Sequence, residues 1–455
     1  MKLKLFGSSG VRGVVNADLT PILVTKIGLA ITMLVKAKKV LVARDTRVSG
    51  QMLEDALVSG LLAGGANVSC VGVMPTPVLA YLTMKLKADA GVMITASHNP
   101  PQYNGIKIFD KDSISYGDEK QGKIEKIIER ESFRFAEWQG IGNVSHANES
   151  GLYVETIAKA VELGKKWRVI LDPGCGAAYS LAPAILKSLG CKLTAINSQP
   201  DGFFPARSPE PSAESLKSLA NIVRESGADV GIAYDGDGDR VAFIDEKGVF
   251  VDFDRVLAAY AAYVLKRKQR GVVVTNVEAS MRIEKMAEAQ GGKVVRTRVG
   301  DVYVSEAIKQ HKAVFGGEPC GAWIHPKIHY CPDGIFSSVM LLKALEDEGK
   351  RLSKFVAETP VYETLRKNIP CKNEAKYRIV DKVGEGIKAA FPEHMEYSAV
   401  DGVRLSLKNG WILVRASGTE PLIRITVEGE SLKAAKEIMK KGVMLINKVV
   451  GKVGK

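Results

Sequence analysis

Short apolar runs and amphipathic stretches alternate along most of the chain, three times over in the same order. Lys39–Asp45 (KVLVARD) is an apolar run closed by polar residues. A helical spacing of apolar positions follows over Gln51–Ala63, then a second strand-like run over Val68–Val73. The layout returns at Arg168–Pro173, Leu181–Leu189 and Cys191–Asn197. It returns again at Gly271–Val277, Met281–Gln290 and Lys293–Thr297. Strands alternating with helices predict parallel βαβ units, and so α/β layers.

Each triplet is followed by another apolar strand that ends in a polar loop. Gly91–Ile94 runs into TASHNP, Asp229–Tyr234 into DGDGDR, and Ala313–Phe315 into GGEPCG. Open α/β sheets bind ligands beyond the carboxyl ends of their strands, so three equivalent loops are expected to share one cleft. From about residue 366 the pattern changes. Strand-like Trp411–Arg415 and Leu422–Glu428 flank the turn ASGTEP, and an amphipathic helix over Ser431–Val449 predicts a smaller α+β domain. These changes place four domains at 1–150, 151–250, 251–365 and 366–455.

The loops carry the chemistry. In DGDGDR, Asp235, Asp237 and Asp239 alternate with glycines; in an extended loop such alternation turns three carboxylates to one side. Convergent carboxylates are hard oxygen ligands suited to Mg²⁺ or Ca²⁺. An EF-hand would use Asp235, Asp237, Asp239 and Glu246, but Arg240 stands where that loop needs glycine, and the flanks read as strands. TASHNP sets Ser97 beside His98, an activated nucleophile or simply a polar turn ended by proline. No GxSxG elbow surrounds Ser97. Lys107 follows in NGIK, placed to touch phosphate, to relay protons or simply to be solvated. GEPCG offers Glu318 as an acceptor for sugar hydroxyls, or is a plain turn. RASGTEP combines Arg415, Ser417, Gly418 and Thr419, with Arg424 on the next strand, a set suited to a phosphate oxyanion.

Composition narrows the classes. Of 455 residues 46% are hydrophobic and 25% charged, which excludes a disordered or fibrous chain. Lys+Arg 64 against Asp+Glu 51 gives +13, favouring anionic partners. No basic stripe with interleaved aromatics occurs, so nucleic acid is not expected. The six cysteines, at 70, 175, 191, 320, 331 and 371, form no CxxC pair and read as reduced thiols. MKLKLFGSSGVRG reaches glycine and charge too early for a secretion signal, and no apolar run spans a membrane, so a cytoplasmic location is expected.

Taken together, FGSSGVRG, ARDTRVSG, TASHNP, DGDGDR, GEPCG and RASGTEP resemble the α-D-phosphohexomutase superfamily along essentially the whole chain. The resemblance implies three related α/β domains with mixed sheets and a C-terminal α+β domain around a central cleft. It implies phosphate movement between O6 and O1 of a hexose, through a phosphorylated Ser97 and a hexose 1,6-bisphosphate that reorients. Ser97, Asp235, Asp237 and Asp239 match the Mg²⁺ ligands. Arg12, Lys107 and Arg240 match the basic residues near the phosphoserine. Glu318 and Cys320 match the sugar loop; Arg415, Ser417, Gly418 and Thr419 match the site of the phosphate not being transferred.

TRVGDVYV (Thr297–Val304) and GEPCGAWIHP with CPDGI resemble the archaeal phosphoglucosamine mutase branch. Glucosamine 6-phosphate is the implied substrate, with a broader phosphomannomutase/phosphoglucomutase as the alternative. A metal-dependent phosphatase using Ser97, or a sugar-phosphate-binding protein without catalysis, are readings of other classes. Two departures from the pattern stand out: Cys320 replaces the usual Ser, and Ala322 replaces a frequent His, removing one acid/base candidate. For His325 and His329 a structural role is expected. A monomer or homodimer is expected.

Overall fold

The computed structural model describes residues 5–7, 9–417 and 421–453. Its first three sheets share one topology. In the second, strand order is Lys192–Ala195, Arg168–Asp172, Val230–Tyr234, Val241–Ile244. The first three of these strands are parallel and the fourth turns back antiparallel. The third sheet repeats it with Lys293–Thr297, Val272–Asn276, Phe315–Glu318 and Ala322–Ile324. The first repeats it with Asn67–Val73, Lys39–Arg44, Ala90–Ile94 and Tyr103–Phe109. It then adds Gly10–Val14 and Phe6–Gly7 at one edge and Val144–His146 at the other. The repeated pattern of the sequence is therefore a repeated sheet, mixed because the fourth strand of each unit reverses.

Helices cover these sheets as the amphipathic stretches predict. Gly50–Ala63, Leu181–Ser188 and Arg282–Glu288 are the crossovers between the first two strands of each unit. Central strands such as Ala90–Ile94 and Val230–Tyr234 are buried at every position, which is why they read as continuous apolar runs rather than as alternation. One hydrophobic core runs through all three units, with Leu79, Tyr153, Tyr234, Phe243, Trp323 and Ile335 among its members.

The C-terminal sheet is antiparallel throughout, in the order Glu363–Pro370, Leu422–Gly429, Gly410–Ala416, Val403–Leu407, Glu396–Ser398. Helices Lys376–Ala390 and Leu432–Val453 pack on it around a core of its own. Trp411 and Leu413 leave that core to meet Val277 of the third unit. Among the described residues no helix is long and apolar enough to cross a membrane.

Candidate active site

The three loops predicted from the third strand of each unit meet. Ser97 follows Ala90–Ile94 in a left-handed conformation, φ 53°, and is 1% exposed. Its N–H donates to Thr95 Oγ1 at 2.8 Å, and its Oγ donates to Asp235 Oδ2 at 2.7 Å. His98 Nδ1 lies 3.2 Å from the same Oγ. Burial, with Arg240 and Arg12 adding, pushes the His98 imidazole down to about 2, so it is neutral at any ordinary pH.

Asp235, Asp237 and Asp239 present carboxylate oxygens within 4.8 Å of one another. Convergence does not come from strand alternation as the sequence reading supposed. Residues 235–240 form a tight turn between Val230–Tyr234 and Val241–Ile244, with Gly238 at φ 74°. Gly236 has a different duty: a Cβ there would stand 2.5 Å from the Ser97 carbonyl oxygen, so the two loops are in direct backbone contact.

Lys107 is not a surface lysine. It is 3% exposed on Tyr103–Phe109, and its Nζ bonds Asp237 Oδ2 at 2.9 Å and Asp239 Oδ2 at 2.6 Å. Burial opposes its charge, but the two carboxylates more than compensate and hold the ammonium above its ordinary range. It is therefore a fixed charge rather than a proton relay. Thr76 Oγ1 donates to Asp237 Oδ2 at 2.6 Å. Burial works against ionisation of Asp237, yet Lys107 and Thr76 keep its carboxyl below the usual range. Burial lifts Asp235 well above that range, with Asp239 and Asp237 adding to it.

Arg12, on Gly10–Val14, donates to Asn99 Oδ1 at 3.0 Å and keeps a buried Nε without partner. Arg240 donates its backbone N–H to Asp235 Oδ1 at 3.1 Å, and its guanidinium pairs with Glu210 at 3.2 Å.

The sugar-loop residues of the third unit are partly committed elsewhere. Glu318 Oε1 accepts from Asn276 Nδ2 at 2.7 Å and from Gly300 N at 2.9 Å, and burial raises its carboxyl. Burial pushes the Cys320 thiol up to about 12, so the thiol stays protonated. His325 meets Ser337 Oγ at 3.0 Å and is driven by burial to about 3; His329 pairs with Asp333 at 2.9 Å. Both histidines serve the packing around the helix Gly334–Asp347.

The fourth loop stands against the third unit rather than beside Ser97. Arg415 pairs with Glu278 and, at 2.8 Å, with Asp401, while its Nε is buried without partner. Ser417 is buried, its N–H bonded to Leu422 O at 2.9 Å, and Arg424 lies opposite Arg415 in the sheet register. Gly418 and Thr419 lie outside the described residues.

Family models match in four consecutive pieces. Those of phosphoglucomutase/phosphomannomutase alpha/beta/alpha domains I, II and III cover residues 3–135, 151–248 and 252–362, and that of the C-terminal domain covers 367–442. The chain belongs to this family. It is an enzyme of the mutase class in the α-D-phosphohexomutase superfamily. It is 43% identical over 99% of both chains to a protein of Pyrococcus abyssi named "Probable phosphoglucosamine mutase". It is 41% identical to the "Phosphoglucosamine mutase" of Methanocaldococcus jannaschii, over 98% of this chain and 99% of that one. A crystal structure of a phosphoglucomutase/phosphomannomutase family protein from Burkholderia thailandensis superposes with TM-score 0.88 at 28% identity, covering 97% of each chain.

As a phosphohexomutase the chain offers a credible cation site. Asp237 and Asp239 each give one oxygen to Lys107 and keep the other, Oδ1, buried without a hydrogen bond, with Arg240 Nε 4.0 Å from that of Asp239. Orphaned buried carboxylate oxygens are costly, and a hard divalent ion beside them would satisfy both. Sequence reasoning missed Thr76, Glu210 and Asp301. Asp301, buried at the start of Asp301–His311 with an unpartnered Oδ1, feels the charges of Lys107, Asp239 and Arg12 across the domain boundary. It lay in plain view in TRVGDVYV but had no role attached. Thr76 gave no local signal at all. A cavity of about 630 Å³ between Asp110–Lys120 and Tyr303–Gln310 is lined by none of Ser97, Asp235, Asp237 and Asp239.

Proposed function

We propose that this phosphohexomutase interconverts glucosamine 6-phosphate and glucosamine 1-phosphate, using a phosphoserine at Ser97, Mg²⁺ and a hexose 1,6-bisphosphate. One observation carries the reading: the buried Ser97 hydroxyl bonds the first of three convergent aspartates, and the Lys107 ammonium bonds the other two. Phosphoryl transfer needs little covalent help; it needs charge neutralised and the reacting oxygens aligned. A Mg²⁺ held by Ser97, Asp235, Asp237 and Asp239 would supply charge neutralisation at the transferring phosphate.

Each of the proposed domains, 1–150, 151–250, 251–365 and 366–455, contributes one loop. A sugar hydroxyl attacks phosphoserine phosphorus, the P–Oγ bond breaks, and the hydroxyl proton leaves with the serine oxygen. The bisphosphate turns over, and Ser97 Oγ then takes the other phosphate. Lys107, Arg12 and Arg240 stabilise charge on the phosphate in flight. Arg415, Ser417, Gly418, Thr419 and Arg424 hold the phosphate that stays on the sugar, while Glu318 and Cys320 face its ring hydroxyls.

The names of the relatives and the buried acids Glu318 and Asp301 support an amino sugar. A second reading, broad specificity toward mannose and glucose phosphates, is favoured by the prior engagement of Glu318 Oε1 with Asn276 and Gly300. A panel of four hexose 1-phosphates with added bisphosphate decides. Glucosamine phosphate is expected to exceed mannose phosphate by about tenfold in kcat/KM, the scale of one unpaired buried contact. Parity would move the chain to the second reading. Intact mass is expected to show a fraction heavier by about 80 Da that is lost in Ser97→Ala. Release of inorganic phosphate without isomerisation would indicate a phosphatase instead.

A further inference from the structure

Two buried arginines lie outside every role assigned above. Arg47, in ARDTRVSG, is 1% exposed, and its guanidinium uses all five N–H donors. Nε donates to Asp45 Oδ2 at 3.0 Å, Nη1 to Pro100 O at 2.6 Å and Tyr103 O at 2.9 Å. Nη2 donates to Ser97 O at 3.0 Å and Asn99 O at 2.6 Å. Four of these acceptors are carbonyls of the serine loop and the strand it leads into. Asp45 Oδ2 also accepts from Thr95 Oγ1 at 2.6 Å, and Thr95 Oγ1 in turn accepts from Ser97 N. The left-handed backbone of Ser97, unfavourable for a residue with a Cβ, is thus tied from its N–H and from its carbonyl.

The second unit repeats the device. Asp172 closes its first strand as Asp45 follows the first strand of the other. Arg207 Nε donates to Asp172 Oδ2 at 3.0 Å, and Nη2 donates to Tyr234 O at 2.6 Å, the carbonyl directly before Asp235. A Cβ on Gly174 would lie 2.4 Å from that Nη2, so glycine leaves the guanidinium its place. Phe204 of the second unit reaches the first clamp, its ring centroid 5.2 Å from Arg47 Cζ. Thr46 Oγ1 also donates to Cys175 O at 2.9 Å across the same boundary.

We infer that Arg47 and Arg207 are matched positioning residues: Arg47 sets Ser97 and Arg207 sets Asp235, so that nucleophile and carboxylate meet across the domain boundary. The inference rests on the phosphohexomutase reading above. Lysine at either place keeps the charge that the buried aspartate needs but loses the planar fork that reaches several carbonyls at once.

The test measures kcat, KM, Ser97 phosphorylation by hexose 1,6-bisphosphate and the Mg²⁺ concentration for half-maximal activity, with melting temperature recorded for each variant. Arg47→Lys is expected to slow both Ser97 phosphorylation and kcat about tenfold or more, leaving KM and the Mg²⁺ requirement within about twofold. Arg207→Lys is expected to raise the Mg²⁺ requirement about tenfold. Thr95→Val is expected to copy Arg47→Lys, and Thr95→Ser to restore activity, which decides the matter should Arg47→Lys fail to fold. Folded variants with unchanged phosphorylation and Mg²⁺ requirement would overturn the inference, as would losses that merely track the folded fraction. Wild-type protein that gains no phosphoserine even after incubation with hexose 1,6-bisphosphate would instead overturn the reading beneath it.

Discussion

Lys107 bonds the same two carboxylates that would ligate a cation, taking Oδ2 of each and leaving Oδ1. Its ammonium therefore keeps these two buried acids tolerable when no ion is bound. Removing one partner of such a buried pair costs about 3–5 kcal/mol because the other charge is left uncompensated. Lys107→Met is accordingly expected to lower the melting temperature by several degrees or more in chelator, as thermal scans would show. Mg²⁺ is expected to return more of that loss in the variant than it adds to wild type, by mass action on the folded state. An equal Mg²⁺ shift in both proteins would mean that lysine and metal do not share these oxygens. Sequence alone placed Lys107 near the serine but left it between a working and a solvated residue. What decided its role was burial, which a local pattern does not carry.

Among elements, the repeated sheet was legible because buried parallel strands write themselves as apolar runs and reversing loops as glycine and aspartate. The partners of the loops were not legible, since Asn276 and Gly300 reach Glu318 only through the fold. The turn that gathers the aspartates depends on Gly236 facing the Ser97 carbonyl at contact distance. A backbone neighbour cannot swing aside, so Gly236→Ala is expected to separate the loops and cut kcat about tenfold or more, with a smaller effect on KM. Steady-state kinetics on glucosamine 6-phosphate checks it.

The first turn of the helix Phe253–Lys268 gives a different test. Asp254 accepts from Ser280 N at 2.7 Å, yet burial pushes its carboxyl up to about 7. The folded state then holds a proton that the unfolded chain, with a carboxyl near 4, has released. Stability from this group is complete below about pH 4 and is lost as pH rises to about 7. Asp254→Asn is expected to flatten that segment of the stability–pH curve and to gain on wild type at pH 8 in denaturant melts.

At the scale of the molecule, the fourth domain is fastened where it would also work. Arg415 is paired with Glu278 of the third unit and Asp401 of its own, and Val299 N donates to Asp401 at 3.1 Å. On the proposed role, an incoming phosphate would have to take Arg415 from these acids. Arg415→Ala is expected to cut kcat/KM by about two orders of magnitude, and Arg415→Lys to recover only part, since lysine lacks the bidentate fork. Full recovery in Arg415→Lys would place the phosphate elsewhere. Glu278→Gln is expected to lower KM by releasing the arginine in advance.

The 1% exposure of Ser97 has one more consequence for the enzyme's working life. On the proposed mechanism, a phosphoryl group seated there would be sheltered from bulk water and so kept between turnovers, and the same shelter would bar outside donors from a freshly made chain. Such a chain would start silent and wake only when a bisphosphate enters the cleft. Progress curves of unprimed protein should therefore begin with a lag that trace bisphosphate abolishes, making each molecule's activity a record of whether it has ever met its own intermediate.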